Sequence, residues 1–254
     1  MVRAWDAATY DRIADPQARW GRTVLERLPL AGHERVLDAG CGTGRVTELL
    51  AARLPSGHVV ALDASAAMIE AARRRLAPFG DRVEYLVADL ARPVPLDEPV
   101  DAILSTATFH WIADHDALFT NLAAVIRPGG RLVAQCGGAG NIASIHRVLA
   151  DIGDGWLGPT YYAPPAETAA RLEAAGFVDV ACWLTDEPTR FEPGEPFESF
   201  LRTVILGAHL ERLPEAEHDD FVRTVAKRLP EPMIDYVRLN ITARRGGSGP
   251  GGSA

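Results

Sequence analysis

Between residues 36 and 136, short runs of aliphatic and β-branched residues alternate with stretches of helical period, and this alternation restricts the chain more than any other feature. The runs are RVLD at 35–38, HVVALD at 58–63, VEYLVAD at 83–89, PVDAILSTA at 99–107 and RLVAQC at 131–136. Between them, Val46, Leu49, Leu50 and Leu54, then Ile69, Ala72 and Leu76, then Leu118, Leu122, Val125 and Ile126 recur at the spacing of one helix face. Ser65 stands where it can cap the second helix, and Asp114 near the start of the third. Strand, helix and strand in strict succession build a parallel sheet covered by helices.

Beyond Gly137 the rhythm loosens. A helix near 142–151, a Gly-, Pro- and aromatic-rich loop GDGWLGPTYYAPPAE, a helix over 166–175 and a sixth strand FVDVACWLTD at 177–186 follow in order. Two helices, 195–212 and 215–229, precede a last strand, YVRLNITAR. That strand is expected to return beside the sixth, giving a doubly wound α/β fold with a seven-stranded, mostly parallel sheet, one antiparallel edge strand and a helical cap. The expected organisation is an N-terminal helical lid at 1–30, a core at 31–186 and 233–245, a cap insertion at 187–232 and a disordered tail at 246–254.

The 254 residues, 47% hydrophobic and 24% charged, are those of an ordinary globular chain. A net charge of −8 argues against a nucleic-acid partner. Cys41, Cys136 and Cys182 are odd in number and far apart, which suggests reduced thiols and no metal site. No apolar segment reads as a signal peptide or a membrane span, so the expectation is a cytoplasmic protein, a monomer or homodimer, with no membrane partner.

The chemistry concentrates at strand ends. VLDAGCGTG places Gly40, Gly42 and Gly44 at alternate positions directly after the first strand, where a tight turn lets a ligand approach the backbone. Asp63 ends the second strand, where a carboxylate accepts from ribose hydroxyls, and Asp89 ends the third, where one can accept from an exocyclic amine. Asp38 precedes the glycines and would repel a pyrophosphate, and the final spacing of a dinucleotide fingerprint is missing. A ligand with an adenosine end and an ammonium end satisfies all three acids, and S-adenosylmethionine is such a ligand.

These motifs, with DAILSTA and RPGGRLVAQ, resemble in order and spacing the class I S-adenosylmethionine-dependent methyltransferases over residues 33–138. WDAATY, FHWIADHDALF and VAQCGGAGN are similar to the trans-aconitate methyltransferase group within that class. The resemblance implies a Rossmann-like core that binds S-adenosylmethionine and releases S-adenosylhomocysteine. Asp38, Gly40, Gly42 and Gly44 would flank the methionyl part, Asp63 and Ala64 the ribose, Asp89 and Leu90 the adenine, with Met68 on its face and Thr106 or Ala107 near the sulfonium. Tyr10 and Gln17 would help cover the cofactor.

The implied reaction is methyl transfer to a small, anionic metabolite such as a carboxylate. The alternatives are a C- or O-methyltransferase acting on an isoprenyl diphosphate or an aromatic product, and a non-catalytic cofactor-binding regulator. His110, after the fourth strand, is a candidate base or positioning residue. Trp20, Trp111, Tyr161, Tyr162, Arg202 and His209 are candidates to contact substrate, and Arg suits an anion through its fork of donors.

Overall fold

The computed structural model describes residues 15–152 and 155–247. Its centre is a seven-stranded sheet in the order β3-β2-β1-β4-β5-β9-β6. β1 (Arg35–Ala39), β2 (His58–Asp63), β3 (Val83–Val87), β4 (Val100–Thr106) and β5 (Ile126–Gly137) are joined in parallel. β1, β2 and β4 are buried almost throughout because both faces are covered, and their unbroken aliphatic runs reflect this. On one face, Val36, Val59, Ala61 and Leu104 pack against α1 (Asp15–Glu26), α2 (Arg45–Ala52) and α3 (Ala66–Leu76) through Val24, Leu50 and Ala72. On the other, Leu37, Val60, Leu62 and Ile103 meet α4 (His115–Val125) through Leu118, Phe119 and Leu122. Ser65 caps α3 by accepting from Met68 N, and Asp114 caps α4 by accepting from Ala117 N.

β5 begins before the aliphatic run at 131–136. Ile126 already pairs with Val100, the Pro-Gly-Gly segment bulges, and pairing resumes at Arg131.

The reversed strand is present, but one place in from the edge. β9 (Val237–Arg245) lies antiparallel to both β5 and β6 (Phe177–Asp186), and β6 takes the edge. The physical reason is exposure: β6 has no fully buried residue after Phe177, whereas Arg238, Leu239, Asn240 and Ile241 are all buried and need neighbours on both sides. Asn240 satisfies the inner position by accepting from Gln135 and Arg27 and donating to Thr185 Oγ1.

α5 (Ala143–Ile152) and α6 (Pro165–Ala174) lie between β5 and β6. Beyond β6, the short β7 (Thr189–Arg190) pairs with β8 (Met233–Ile234) and leads to α7 (Glu195–Phe200), α8 (Gly207–Leu210) and α9 (His218–Arg228). The single helix expected over 195–212 is interrupted by a π-helical turn at Leu201–Ile205 and restarts at Gly207. These helices form a third apolar cluster with α5, built from Leu149, Phe197, Phe200, Val204 and Val225, and Trp20 of α1 joins it. Val24 and Leu25 of α1 pack under the sheet. Tyr10 and most of the 246–254 tail lie outside the described residues.

Candidate active site

In this strand order, β1 has β2 on one side and β4 on the other, so connections leave in opposite directions and a crevice opens at the carboxyl ends. The glycine turn lies there. Gly40, Gly42 and Gly44 all adopt positive φ, at 93°, 55° and 84°. A Cβ on Gly40 would lie 2.1 Å from Thr108 Oγ1, and one on Gly44 3.2 Å from Leu76 Cδ1. A Cβ at Gly40 would have to displace Thr108, and one at Gly44 would be tight against Ala72 and Leu76, so packing as well as the turn favours glycine at these two positions. Only Gly42 faces space, with nothing within 4 Å of its Cβ position.

This difference has a measurable consequence. Gly40→Ala combines a left-handed backbone cost of about 1–2 kcal/mol with overpacking of about 1–3 kcal/mol. It should lower the melting temperature by several degrees, at roughly 2–4 °C per kcal/mol. Gly42→Ala carries only the backbone cost, yet should lose most of the thermal shift that S-adenosylmethionine confers. Melting curves with and without the cofactor check both.

Asp38, on β1, is 1% exposed. Its Oδ2 accepts from Thr47 Oγ1 at 2.7 Å, while Oδ1 is buried with no hydrogen-bond partner. Burial, with a smaller contribution from Asp63, pushes its pKa up to about 7, and the Thr47 bond opposes this. A buried acceptor without a donor fits a cationic group arriving from outside. Asp63 accepts from Ser65 N at 2.9 Å and from Gly42 N at 3.0 Å, and burial raises its pKa. Ala64 follows it, Met68 is buried in the first turn of α3, and Leu90 is buried behind exposed Asp89. Thr106 ends β4 beside Gln135. The sequence-selected acids and glycines of the cofactor group thus converge on one edge; Gln17 is on α1, and its side chain is outside the described residues.

Next to this edge is a narrow cleft of about 60 Å³, under the cap helices. Ala107 and Ile142 line it with φ of 56° and 51°, conformations that non-glycine residues adopt at a cost. Of the sequence-selected residues, His110, Trp111, Tyr162 and His209 line the cleft. Trp20 stands behind it, edge-on to Tyr236 at 5.0 Å. Two others are directed elsewhere. Tyr161 donates its hydroxyl to Glu167, and Arg202 pairs with Asp219 on the cap surface.

Sequence reasoning missed Arg238. It lines the cleft at 3% exposure, with its guanidinium 4.6 Å from the Trp20 ring centre. No described residue lining the cleft is a carboxylate. The signal in the sequence was an arginine inside a strand with Leu239 and Ile241 nearby, which reads as solvent-facing if the strand is an edge. Among the described residues no group of three or more His, Cys, Asp or Glu is placed to hold a metal.

A doubly wound sheet whose crevice carries this acid-glycine turn, with a second carboxylate ending β2, has the form of a class I S-adenosylmethionine-dependent methyltransferase. The family model "Methyltransferase domain" matches residues 36–130. A trans-aconitate 2-methyltransferase of Methylobacterium nodulans is 37% identical over 71% of this chain and 67% of its own length. Another, from Methylobacterium radiotolerans, is 32% identical over 95% of this chain and 98% of its own. Among solved structures, Haemonchus contortus phosphoethanolamine N-methyltransferase 2, in complex with phosphomonomethylethanolamine and S-adenosylhomocysteine, superposes with a TM-score of 0.64 at 19% identity. That match covers 95% of this chain and 57% of the worm enzyme. The chain belongs to the class I S-adenosylmethionine-dependent methyltransferases, in the group resembling trans-aconitate 2-methyltransferase. It is an enzyme whose methyl donor is S-adenosylmethionine and whose substrate is a small molecule. No helix among the described residues is long and apolar enough to cross a membrane.

Proposed function

We propose that this protein methylates a carboxylate oxygen of a small polyanionic acid. The observation that carries this reading is the cleft itself: a buried arginine, His110 and tyrosines, with no described acid in the lining of a chain whose net charge is −8. Such a lining attracts an anion and repels a cation. The trans-aconitate 2-methyltransferase relatives support the same chemistry.

The residues fit the cofactor. Asp38 Oδ1 would accept the ammonium, Gly42 would leave room for the methionyl chain, Asp63 and Ala64 would hold the ribose, and Asp89, Leu90 and Met68 the adenine ring. Gly40 and Gly44 would hold the turn in shape, Thr106 would face the sulfonium, and Tyr10 and Gln17 are assigned to covering the site. When bound, the sulfonium supplies an electrophilic methyl. The protein's work is then to align an oxygen with that methyl and keep water out. A carboxylate needs no base, because it is already the nucleophile at neutral pH. Arg238 would hold a second acid group, since pairing with the reacting oxygen would draw off the lone pair that attacks.

The enzyme is read as cytoplasmic, a monomer or homodimer without a nucleic-acid partner; the net charge supports the absence of nucleic acid, and the free thiols Cys41, Cys136 and Cys182 support a reducing compartment. Residues 1–30 are read as a lid and 187–232 as a cap on the core. The test is transfer of labelled methyl from S-adenosylmethionine to a panel of di- and tricarboxylates, monocarboxylates, isoprenyl diphosphates and phenols. Base-labile, ester-bound label on the polycarboxylates alone is the expected result, and label on a diphosphate or phenol would overturn the reading.

A further inference from the structure

His110 lines the cleft, and its two ring nitrogens have different surroundings. It sits in a short turn, Phe109–Trp111, directly after β4 and next to the strained Ala107. Nδ1 accepts the backbone N–H of Gly137, at the end of β5, at 3.3 Å. The ring cannot turn away from that bond: Tyr162 stacks on it at 5.8 Å and 27°, and Trp111 packs at 5.2 Å. The carbonyl of His110 also receives Tyr161 N at 2.9 Å, which fixes the backbone. Gly137 is part of the same arrangement, because a Cβ there would lie 2.6 Å from the Tyr162 ring.

A backbone N–H has only its proton to offer, so Nδ1 must keep its lone pair toward Gly137. In the neutral ring the proton is then on Nε2. Nε2 makes no hydrogen bond among the described residues. A general base needs a free lone pair at the nitrogen that faces the substrate, and here that nitrogen carries a hydrogen. Protonation at Nδ1 would break the Gly137 bond, and burial, with Arg238 and His115 nearby, holds the imidazole well below its ordinary pKa.

We propose that His110 is not a base but a neutral hydrogen-bond donor, which orients the reacting carboxylate of the substrate through Nε2–H. This deepens the carboxylate reading and rests on it for the identity of the acceptor. No proton changes hands in the transfer: the carboxylate oxygen forms the new C–O bond, the S–CH₃ bond breaks, and its electron pair stays on sulfur. His110 only fixes which oxygen points at the methyl.

The first test needs no substrate. Long-range ¹⁵N–¹H correlation spectra of the histidine-labelled enzyme should show His110 as a neutral ring protonated at Nε2 from pH 6 to 8.5, assigned by its loss in His110→Gln. A proton on Nδ1, or titration near pH 7, would overturn the proposal whatever the substrate is. The second test uses a carboxylate that the wild-type enzyme methylates. Glutamine places an N–H near the Nε2 position but cannot act as a base, so His110→Gln should keep kcat within about fivefold, with an unchanged pH profile. His110→Leu should raise KM and lower kcat/KM at least tenfold. A fall of about 10²-fold or more in kcat for His110→Gln, with loss of an acid limb from the wild-type profile, would identify a base instead. Equal losses in Gln and Leu would reduce His110 to packing. Failure of the wild-type enzyme on every carboxylate refutes the substrate reading, and the spectra still decide the tautomer.

Discussion

Replacing Asp38 by asparagine should weaken S-adenosylmethionine binding by about two orders of magnitude while leaving the free protein at least as stable above neutral pH. Truncating one member of a desolvated charge pair costs about 2–5 kcal/mol of binding, and about 3 kcal/mol is a factor of 10² or more. The free protein responds in the opposite sense. The folded-state pKa of Asp38 is raised to about 7 by burial. Between its unfolded value and 7 the folded protein holds more protons than the unfolded chain, so this residue's contribution to stability falls as pH rises through that window. At an upper bound near 4 kcal/mol, the cost of the buried charge is fully present above pH 7. Asparagine removes the charge and keeps the acceptor for Thr47, at the cost of an amide group in the place of Oδ1.

The same raised pKa gives cofactor binding a pH dependence. An incoming ammonium favours the ionised carboxylate, so binding releases a proton below pH 7. Affinity should rise with pH from about 5.5 to 7, by at most roughly tenfold per unit. In Asp38→Asn this slope should flatten. Calorimetric titrations at three pH values in two buffers of different ionisation enthalpy measure affinity and proton release together. A flat wild-type curve with no proton released would mean that Asp38 does not receive the ammonium.

Arg238→Leu should raise KM for a carboxylate substrate by about 10² or more, with cofactor affinity changed less than about threefold. In the proposed reading Arg238 meets an acid group of the substrate, and losing one partner of a buried ion pair costs about 2–5 kcal/mol. Arg238→Lys keeps the charge but not the fork of donors, so its KM should fall between the two. The loss of the contact with Trp20 affects stability instead, and the melting temperature reports it separately. An Arg238→Leu enzyme that folds, binds cofactor and retains its KM would remove Arg238 from substrate recognition.

The acids and glycines proposed to hold the cofactor are legible as a group in the amino-acid sequence because they are local. Asp38 and the three glycines lie within seven residues, and Asp63 and Asp89 end strands whose aliphatic runs mark where they stop. A parallel sheet brings such strand ends together whatever the loops do, and β1 to β5 pair in the order that places them at one edge. Even so, the reason for each glycine is not visible in the chain. Whether a Cβ would meet Thr108, α3 or open space depends on residues roughly 30 to 70 positions away or on none.

The substrate half depends on which surfaces meet. Tyr161 and Arg202 have the right chemistry for an anion site, but Glu167 and Asp219 occupy them. Arg238 and Asn240 stand on the polar positions of an alternating strand, which point to solvent at a sheet's edge and into the protein one strand further in. Strand period assigns the face but cannot assign the neighbour. Sequence therefore sufficed for the α/β class, the glycine turn and its acids, because they follow from short-range pattern and the geometry of parallel strands. The inner place of β9, the acid-poor cleft with Arg238 and the lone pair of His110 on Gly137 were decided by packing, which joins residues that no period in the chain relates.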